Sequence, residues 1–375
     1  MAQSGTTKWV RLGDYIDVYD RKNTEGTPYP FFGINKDKTF MPTVADTNEL
    51  DNTKYKVVEK DVFVFNGMHV GRDVAICIAL YDNNATIIVS PAYTTFKVKD
   101  PSMLLPEFLF MQLSREEFGR YGWFCCDASV RGGLDWRRFC DMKIALPSIE
   151  VQQELVDTYN GIKAIAEQNE ALYQRLSAAC HAYIVDCRAK YDAAPLGEHI
   201  EQCDDRAGSN YTVADVIGIS TDKKFIDTKA NMSGVSLNSY KVVKPLEFAY
   251  VADTSPRGDK IALALNDSDK PVLVSSIYTA FRCKDTNQLL PKYLFMLLNR
   301  TEFDRYARFN SWGSARETFD WNEMCRVEIP LPDTKVQQSI VDLFNCADRA
   351  KKIATEARER LKTLCPALVQ RAANS

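Results

Sequence analysis

No apolar run in the 375 residues reaches the roughly 18 needed to span a bilayer. Met1 to Lys8 is polar, so neither a membrane segment nor a secretory leader is expected. Histidine is scarce: His69, His181 and His199 are the only three, and none has metal-ligand spacing. The eleven cysteines form no CxxC pair, and the count is odd. Buried free thiols in a cytosolic chain explain this better than a disulfide framework or a zinc site. There is no Walker lysine loop, no GxGxxG after a strand and no Asn-Pro-Pro-aromatic tetrapeptide. No cofactor, metal or catalytic residue is therefore expected. Pro332-Asp333-Thr334-Lys335 faintly resembles a nuclease motif, but the matching Pro147-Ser148-Ile149-Glu150 shows both to be helix caps. A basic excess is also lacking. The net charge of −3 argues against a uniformly basic nucleic-acid binder, although binding depends on where charges lie rather than on their sum.

What the chain does have is a copy of itself. Leu105-Pro106-Glu107-Phe108-Leu109-Phe110-Met111 returns 185 residues later as Leu290-Pro291-Lys292-Tyr293-Leu294-Phe295-Met296. The same shift carries Tyr55-Lys56-Val57-Val58 to Tyr240-Lys241-Val242-Val243, Asp135-Trp136 to Asp320-Trp321, and Val151-Gln152-Gln153 to Val336-Gln337-Gln338. Each repeat is a whole domain with a connector, not a short solenoid unit. Such a chain can address two similar targets or one target of approximate two-fold symmetry.

Each copy has a mixed front part and a helical back part. The predicted strands are Asp61–Asn66, Val74–Leu80, Thr86–Ser90 and Tyr93–Val98, with counterparts Leu246–Val251, Ile261–Leu265, Val272–Ser275 and Tyr278–Cys283. One helix is expected over Pro106–Tyr121 and again over Pro291–Tyr306. Behind Pro147-Ser148 and Pro332-Asp333, long helical patterns begin. In the first, Ile162, Ile165, Asn169, Leu172, Leu176, Ala179 and Tyr183 follow heptad steps. In the second, the positions are Ala347, Ala350, Ala354, Ala357, Leu361, Leu364 and Leu368. Large residues facing small ones predict two antiparallel helices packed on each other, with Leu172 and Leu176 against Ala350, Ala354 and Ala357. The expected organisation is α+β: front domains at 1–147 and 195–332, and spacer helices at 148–194 and 333–375.

Two loops of each front domain carry basic, amide and hydroxyl groups. Residues 65–73 match 250–258, and Ser129-Val130-Arg131 matches Ser314-Ala315-Arg316. Arg72 and Arg257 correspond, as do Arg131 and Arg316, and Ser129 and Ser314. Groups held in both copies suit phosphate contacts, which position without selecting sequence. Asn66 and His69 differ from Asp253, Thr254 and Ser255, as base-edge contacts should. The structural alternative pairs Arg131 with Asp135 and Arg316 with Asp320 inside the fold.

On these residues the chain resembles the DNA-specificity subunit of a type I restriction–modification system. The resemblance rests on Trp9-Val10-Arg11-Leu12-Gly13-Asp14-Tyr15, and on Ile144-Ala145-Leu146-Pro147 before Val151-Gln152-Gln153. Ile329-Pro330-Leu331-Pro332 before Val336-Gln337-Gln338 repeats that pattern. It implies two target-recognition domains separated by an antiparallel coiled coil. It also implies a non-catalytic, cytoplasmic role on double-stranded DNA, assembled with two methyltransferase subunits and with motor-nuclease subunits. Methyl donor, ATP and magnesium would then belong to partners. The other readings are a DNA-acting enzyme with an unrecognised active site and an assembly decoy that does not touch DNA.

Overall fold

The computed structural model describes residues 7–374, except 45, 48, 49, 69, 128–131, 209, 210, 229, 233, 255–259, 314 and 315, and except the side chains of 72, 365, 373 and 374. The chain divides into two compact units, Met1–Gln168 with Ile353–Ser375, and Asn169–Lys352. Among the described residues no helix is long and apolar enough to cross a membrane.

Unit one holds β1 (Lys8–Arg11), β2 (Ile16–Val18), β3 (Phe31–Ile34), β4 (Phe40–Pro42), β5 (Lys56–Val58) and β6 (Phe63–Asn66). The short α1 (Val70–Asp73) leads to β7 (Cys77–Leu80), β8 (Ile87–Val89) and β9 (Thr94–Val98). Then come α2 (Pro106–Leu113), α3 (Glu116–Phe124), α4 (Trp136–Asp141), β10 (Lys143–Leu146) and the long α5 (Ile149–Lys190), of which unit one holds the part up to Gln168. The strands form sheets in the orders β2-β9-β6-β7, β4-β3-β8-β5 and β1-β10. β-Branched and aromatic residues fill the inner strands, and Phe63 on β6 stacks on Phe96 of β9 at 4.7 Å.

Unit two repeats the plan except in the second sheet, where two separate two-stranded sheets stand in place of the four-stranded β4-β3-β8-β5. Its strands are β11 (Ala193–Pro195), β12 (Ile200–Cys203), β13 (Ile217–Ile219), β14 (Phe225–Asp227), β15 (Lys241–Val243), β16 (Phe248–Tyr250), β17 (Leu263–Leu265), β18 (Val272–Val274), β19 (Thr279–Cys283) and β20 (Glu328–Pro330). Its helices are α6 (Pro291–Leu298), α7 (Thr301–Phe309), α8 (Trp321–Cys325), the remainder of α5, and the long α9 (Thr334–Asn374) up to Lys352, the rest of which belongs to unit one. The sheet β12-β19-β16-β17 has the order of β2-β9-β6-β7, and Phe248 stacks on Phe281 at the same 4.7 Å.

The single helix expected over Pro106–Tyr121 is two helices, as is its counterpart. Arg115 and Arg300 adopt extended backbone between them. Apolar periodicity resumes after the break, which is why the pattern reads as one element.

The repeated Val-Gln-Gln has a structural cause. Pro147-Ser148 precedes α5, and the Asp333 carboxylate caps α9 by accepting from Lys335 and Val336 N–H at 3.0 Å each. Gln152 is fully buried; its Oε1 accepts from Leu105 N–H at 2.9 Å, and its amide donates to Met103 and Pro147 carbonyls. Gln337 does the same with Leu290, Gln288 and Pro332. Each glutamine ties the start of a long helix to the start of α2 or α6, satisfying backbone groups that would otherwise be buried unpaired.

Each unit pairs the long helices antiparallel. In unit one, Leu155 and Val156 of α5 share a core with Val369 and Ala372 of α9. In unit two, Ile184 and Cys187 of α5 share a core with Ile340 and Val341 of α9, and Lys351 sits over the Tyr173 ring at 5.5 Å. The alanine seam of α9 is buried at Ala347, Ala350, Ala354 and Ala357, with Leu361 half-buried. On α5 the expected seam is out by one residue at four of its seven positions. Ile162, Asn169 and Leu176 are half-buried, but Ala166 and Cys180 are buried where Ile165 and Ala179 were expected. Ile165 and Leu172 are 48% and 46% exposed, Tyr183 is exposed beside buried Ile184, and Leu364 of α9 is exposed as well. The buried positions on α5 run one residue C-terminal to the expected ones at Ala166, Cys180 and Ile184, while α9 buries its alanines.

Candidate nucleic-acid interface

Described residues at the edges of the two loops singled out in each copy bond to one another in each unit. In unit one, Leu134 N–H donates to Gly67 O and Gly71 N–H donates to Gly132 O, both at 2.8 Å. In unit two, Phe319 N–H donates to Ala252 O at 2.8 Å, the 185-shifted equivalent of the Leu134–Gly67 bond. Buried Leu134 and Phe319 anchor the second loop of each pair in its core. Gly67 is required by this approach, because a Cβ there would lie 2.0 Å from Leu134 O. In the second loop of unit two, Trp312 and Thr318 bond each other in both directions. The turn between them needs Gly313, with φ +145° and a would-be Cβ 2.0 Å from Arg316 O.

The repeated Asp-Trp after these loops belongs to the scaffold. Asp135 and Asp320 cap α4 and α8, accepting from Arg138 and Glu323 N–H at 2.9 Å each. Trp136 and Trp321 lie against Phe96 and Phe281. Asp320 is thus not the fixed partner of Arg316. That partner is Asp253, 3.6 Å away on the other loop. A second ion pair, Arg308 with Glu317, flanks the same loop.

Thr254 is not placed to touch base edges. It is buried, its hydroxyl donates to Glu317 O at 3.1 Å, and its N–H donates to the same oxygen at 2.9 Å. Its role is to fasten one loop to the other. Asn66, half-buried at the end of β6, accepts from Met68 N–H at 3.0 Å and so shapes the first turn of its loop. Arg316 is exposed. His69, Ser129, Arg131, Ser255, Arg257 and Ser314 lie outside the described residues, as does the side chain of Arg72.

No sequence motif singles out Phe124 and Phe309. They end α3 and α7 at equivalent positions and are 84% and 78% exposed. Identity between copies is the available signal, but an apolar residue ending a helix reads as core until its burial is seen. Cys125 and Cys126 follow Phe124. Burial pushes both thiols up, which keeps them protonated and weakly nucleophilic. The described residues therefore offer a hydrogen-bonded junction between two loops, with Arg316 exposed on it in unit two and with exposed phenylalanines ending α3 and α7.

No protein-family model matches the sequence, and no curated protein matches it. Solved structures do. The S subunit of a type I restriction–modification system from M. genitalium matches with a TM-score of 0.64 at 11% identity, over 99% of this chain and 97% of that one. The HsdS subunit from Thermoanaerobacter tengcongensis matches at 17% identity over 98% and 97% of the two chains, with a TM-score of 0.43. A chain from a structure of type I restriction–modification complex assembly and conformational transition covers both chains fully, at 15% identity and a TM-score of 0.39. On the first of these likenesses, the chain has the tandem-domain fold of a type I restriction–modification specificity subunit.

Proposed function

We propose that the chain is the sequence-reading subunit of a type I restriction–modification complex, acting in the cytoplasm on double-stranded DNA. One observation carries the reading: the same two-loop platform is built twice on matching scaffolds, with different side chains on each. A shared scaffold gives each platform the same pose on a duplex, and the differing side chains give it a different base sequence. The target is then bipartite, with one short half-site per unit. In this reading the chain performs no chemistry itself. Methylation and cleavage belong to two methyltransferase subunits and to motor-nuclease subunits.

The long helices support the scaffolding part. Ile165, Ile353 and Leu364 in unit one, and Leu172, Tyr183 and Val185 in unit two, leave apolar surface exposed on helices whose seams are already filled. In this reading these side chains are where the partner subunits dock.

The test is selection from a randomised duplex pool. The chain, co-purified with its methyltransferase subunits, should enrich duplexes carrying two separated, unequal sequence blocks. Enrichment without sequence preference, or no retention of DNA, would reject the reading.

A further inference from the structure

The Arg316–Asp253 pair stands where the two platforms part ways, and a role for it at the target rests on the DNA-reading function proposed above. Arg316 and Asp253 come from different loops and meet at 3.6 Å. The backbone beneath them is fixed by the bonds of Thr254 to Glu317 O and of Phe319 to Ala252 O. The Arg316 side chain is 78% exposed and that of Asp253 is 23% exposed. The guanidinium is therefore open to a ligand, with one of its nitrogens beside the mostly covered Asp253 carboxylate.

Two donors beside one acceptor is a specific pattern. In the major groove a G·C pair shows guanine N7 and O6 as acceptors and cytosine N4 as a donor. The Arg316–Asp253 pair is its complement. An A·T pair would set the adenine N6 amino group against the guanidinium, donor against donor. A phosphate would have to sit beside the Asp253 carboxylate, like charge against like. We propose that this pair reads one G·C base pair in the half-site of unit two, Arg316 donating to guanine and Asp253 accepting from cytosine. Arg316 is thereby a specificity residue, not the phosphate contact its recurrence in both copies suggests. In unit one the position of Asp253 is held by Met68, half exposed, so the same reading device cannot form there.

The experiment uses the full chain with its methyltransferase subunits and its selected target. Each position of both half-sites is replaced in turn by the other three base pairs, and binding is measured for wild type, Arg316→Ala, Arg316→Lys and Asp253→Asn. Wild type should prefer G·C at one position of one half-site by roughly ten- to hundredfold, the discrimination of one bidentate contact. Arg316→Ala and Arg316→Lys should lose that preference and keep every other. Asp253→Asn should weaken it at the same position only. Arg316→Lys retains charge and exposure, so it decides the matter if the alanine variant folds poorly. Uniform weakening on all duplexes, or no change at any G·C position, overturns the inference while leaving sequence-specific binding by wild type intact. Loss of sequence preference in wild type itself would instead overturn the parent reading.

Discussion

Lys38 and Lys223 are the same residue in two copies, in different electrostatic surroundings. Both have positive φ, and both donate to the last carbonyl of a helix, Leu113 O and Leu298 O, at 2.6 Å. Lys223 is buried with Asp304 at 2.8 Å. The residue matching Asp304 is Gly119, so the Lys38 ammonium lacks that counterion. Burial pulls its pKa from the ordinary 10.5 down to about 8, opposed only in part by Cys77 and Glu116, the titratable groups that act on it. Between about pH 8 and 10.5 the unfolded chain then holds a proton that the folded chain has released, so stability rises with pH across that window. Wild type should gain stability relative to Lys38→Met when denaturant unfolding at pH 7.5 is compared with that at pH 10. An unchanged difference would show that Lys38 keeps its proton in the fold. At this scale the sequence is legible where the two copies agree and opaque where partners come from afar. The equivalence of the two lysines follows from the repeat, but Arg316 finds Asp253 across 63 positions of sequence, and no spacing rule predicts it. Thr254 misleads for the same reason, since its partner Glu317 lies on the other loop.

Elements are more legible than residues. The four strands expected in each copy overlap β6 to β9 and β16 to β19, because those β-branched and aromatic runs are buried in the sheets; β1 to β5, β10 to β15 and β20 are not among the expected strands. The existence of both long helices follows from caps and periodicity, and the alanine seam of α9 is buried as the pattern suggests. The face of α5 departs from its pattern at Ile165, Leu172, Ala179 and Tyr183, each by one residue towards the C-terminus, because a 3.5-residue count and a 3.6-residue helix drift apart and neighbouring apolar residues offer a second choice at each step. This yields a paired prediction. Ala354→Phe overpacks a buried seam and should cost about 1–3 kcal/mol. Leu172→Ala removes an exposed side chain and should change stability of the chain by less than about 0.5 kcal/mol. It should nonetheless weaken co-purification with methyltransferase subunits, if the exposed stripe is where they dock. Comparable destabilisation by both variants in denaturant unfolding would mean that Leu172 belongs to the seam after all.

At the scale of the whole molecule, the duplication is the functional statement. Scaffold residues survive between copies: the stacked phenylalanine pairs, the buried glutamines, the capping aspartates and the bond that clamps one loop to the next. The loop side chains diverge. That contrast can be read from one sequence, because the repeat supplies an internal comparison. The target cannot, since base choice depends on side-chain pose and on DNA shape as well as on residue type. The most direct measurement is long-read mapping of methylated bases in cells that express the chain with its methyltransferase subunits, against cells lacking only this chain. Expression of the chain should add a methylated motif of two short, unequal half-sites, their centres roughly one to two turns of about 34 Å apart, with an unread gap between them. A single continuous motif, or a pattern unchanged by removal of the chain, would contradict it.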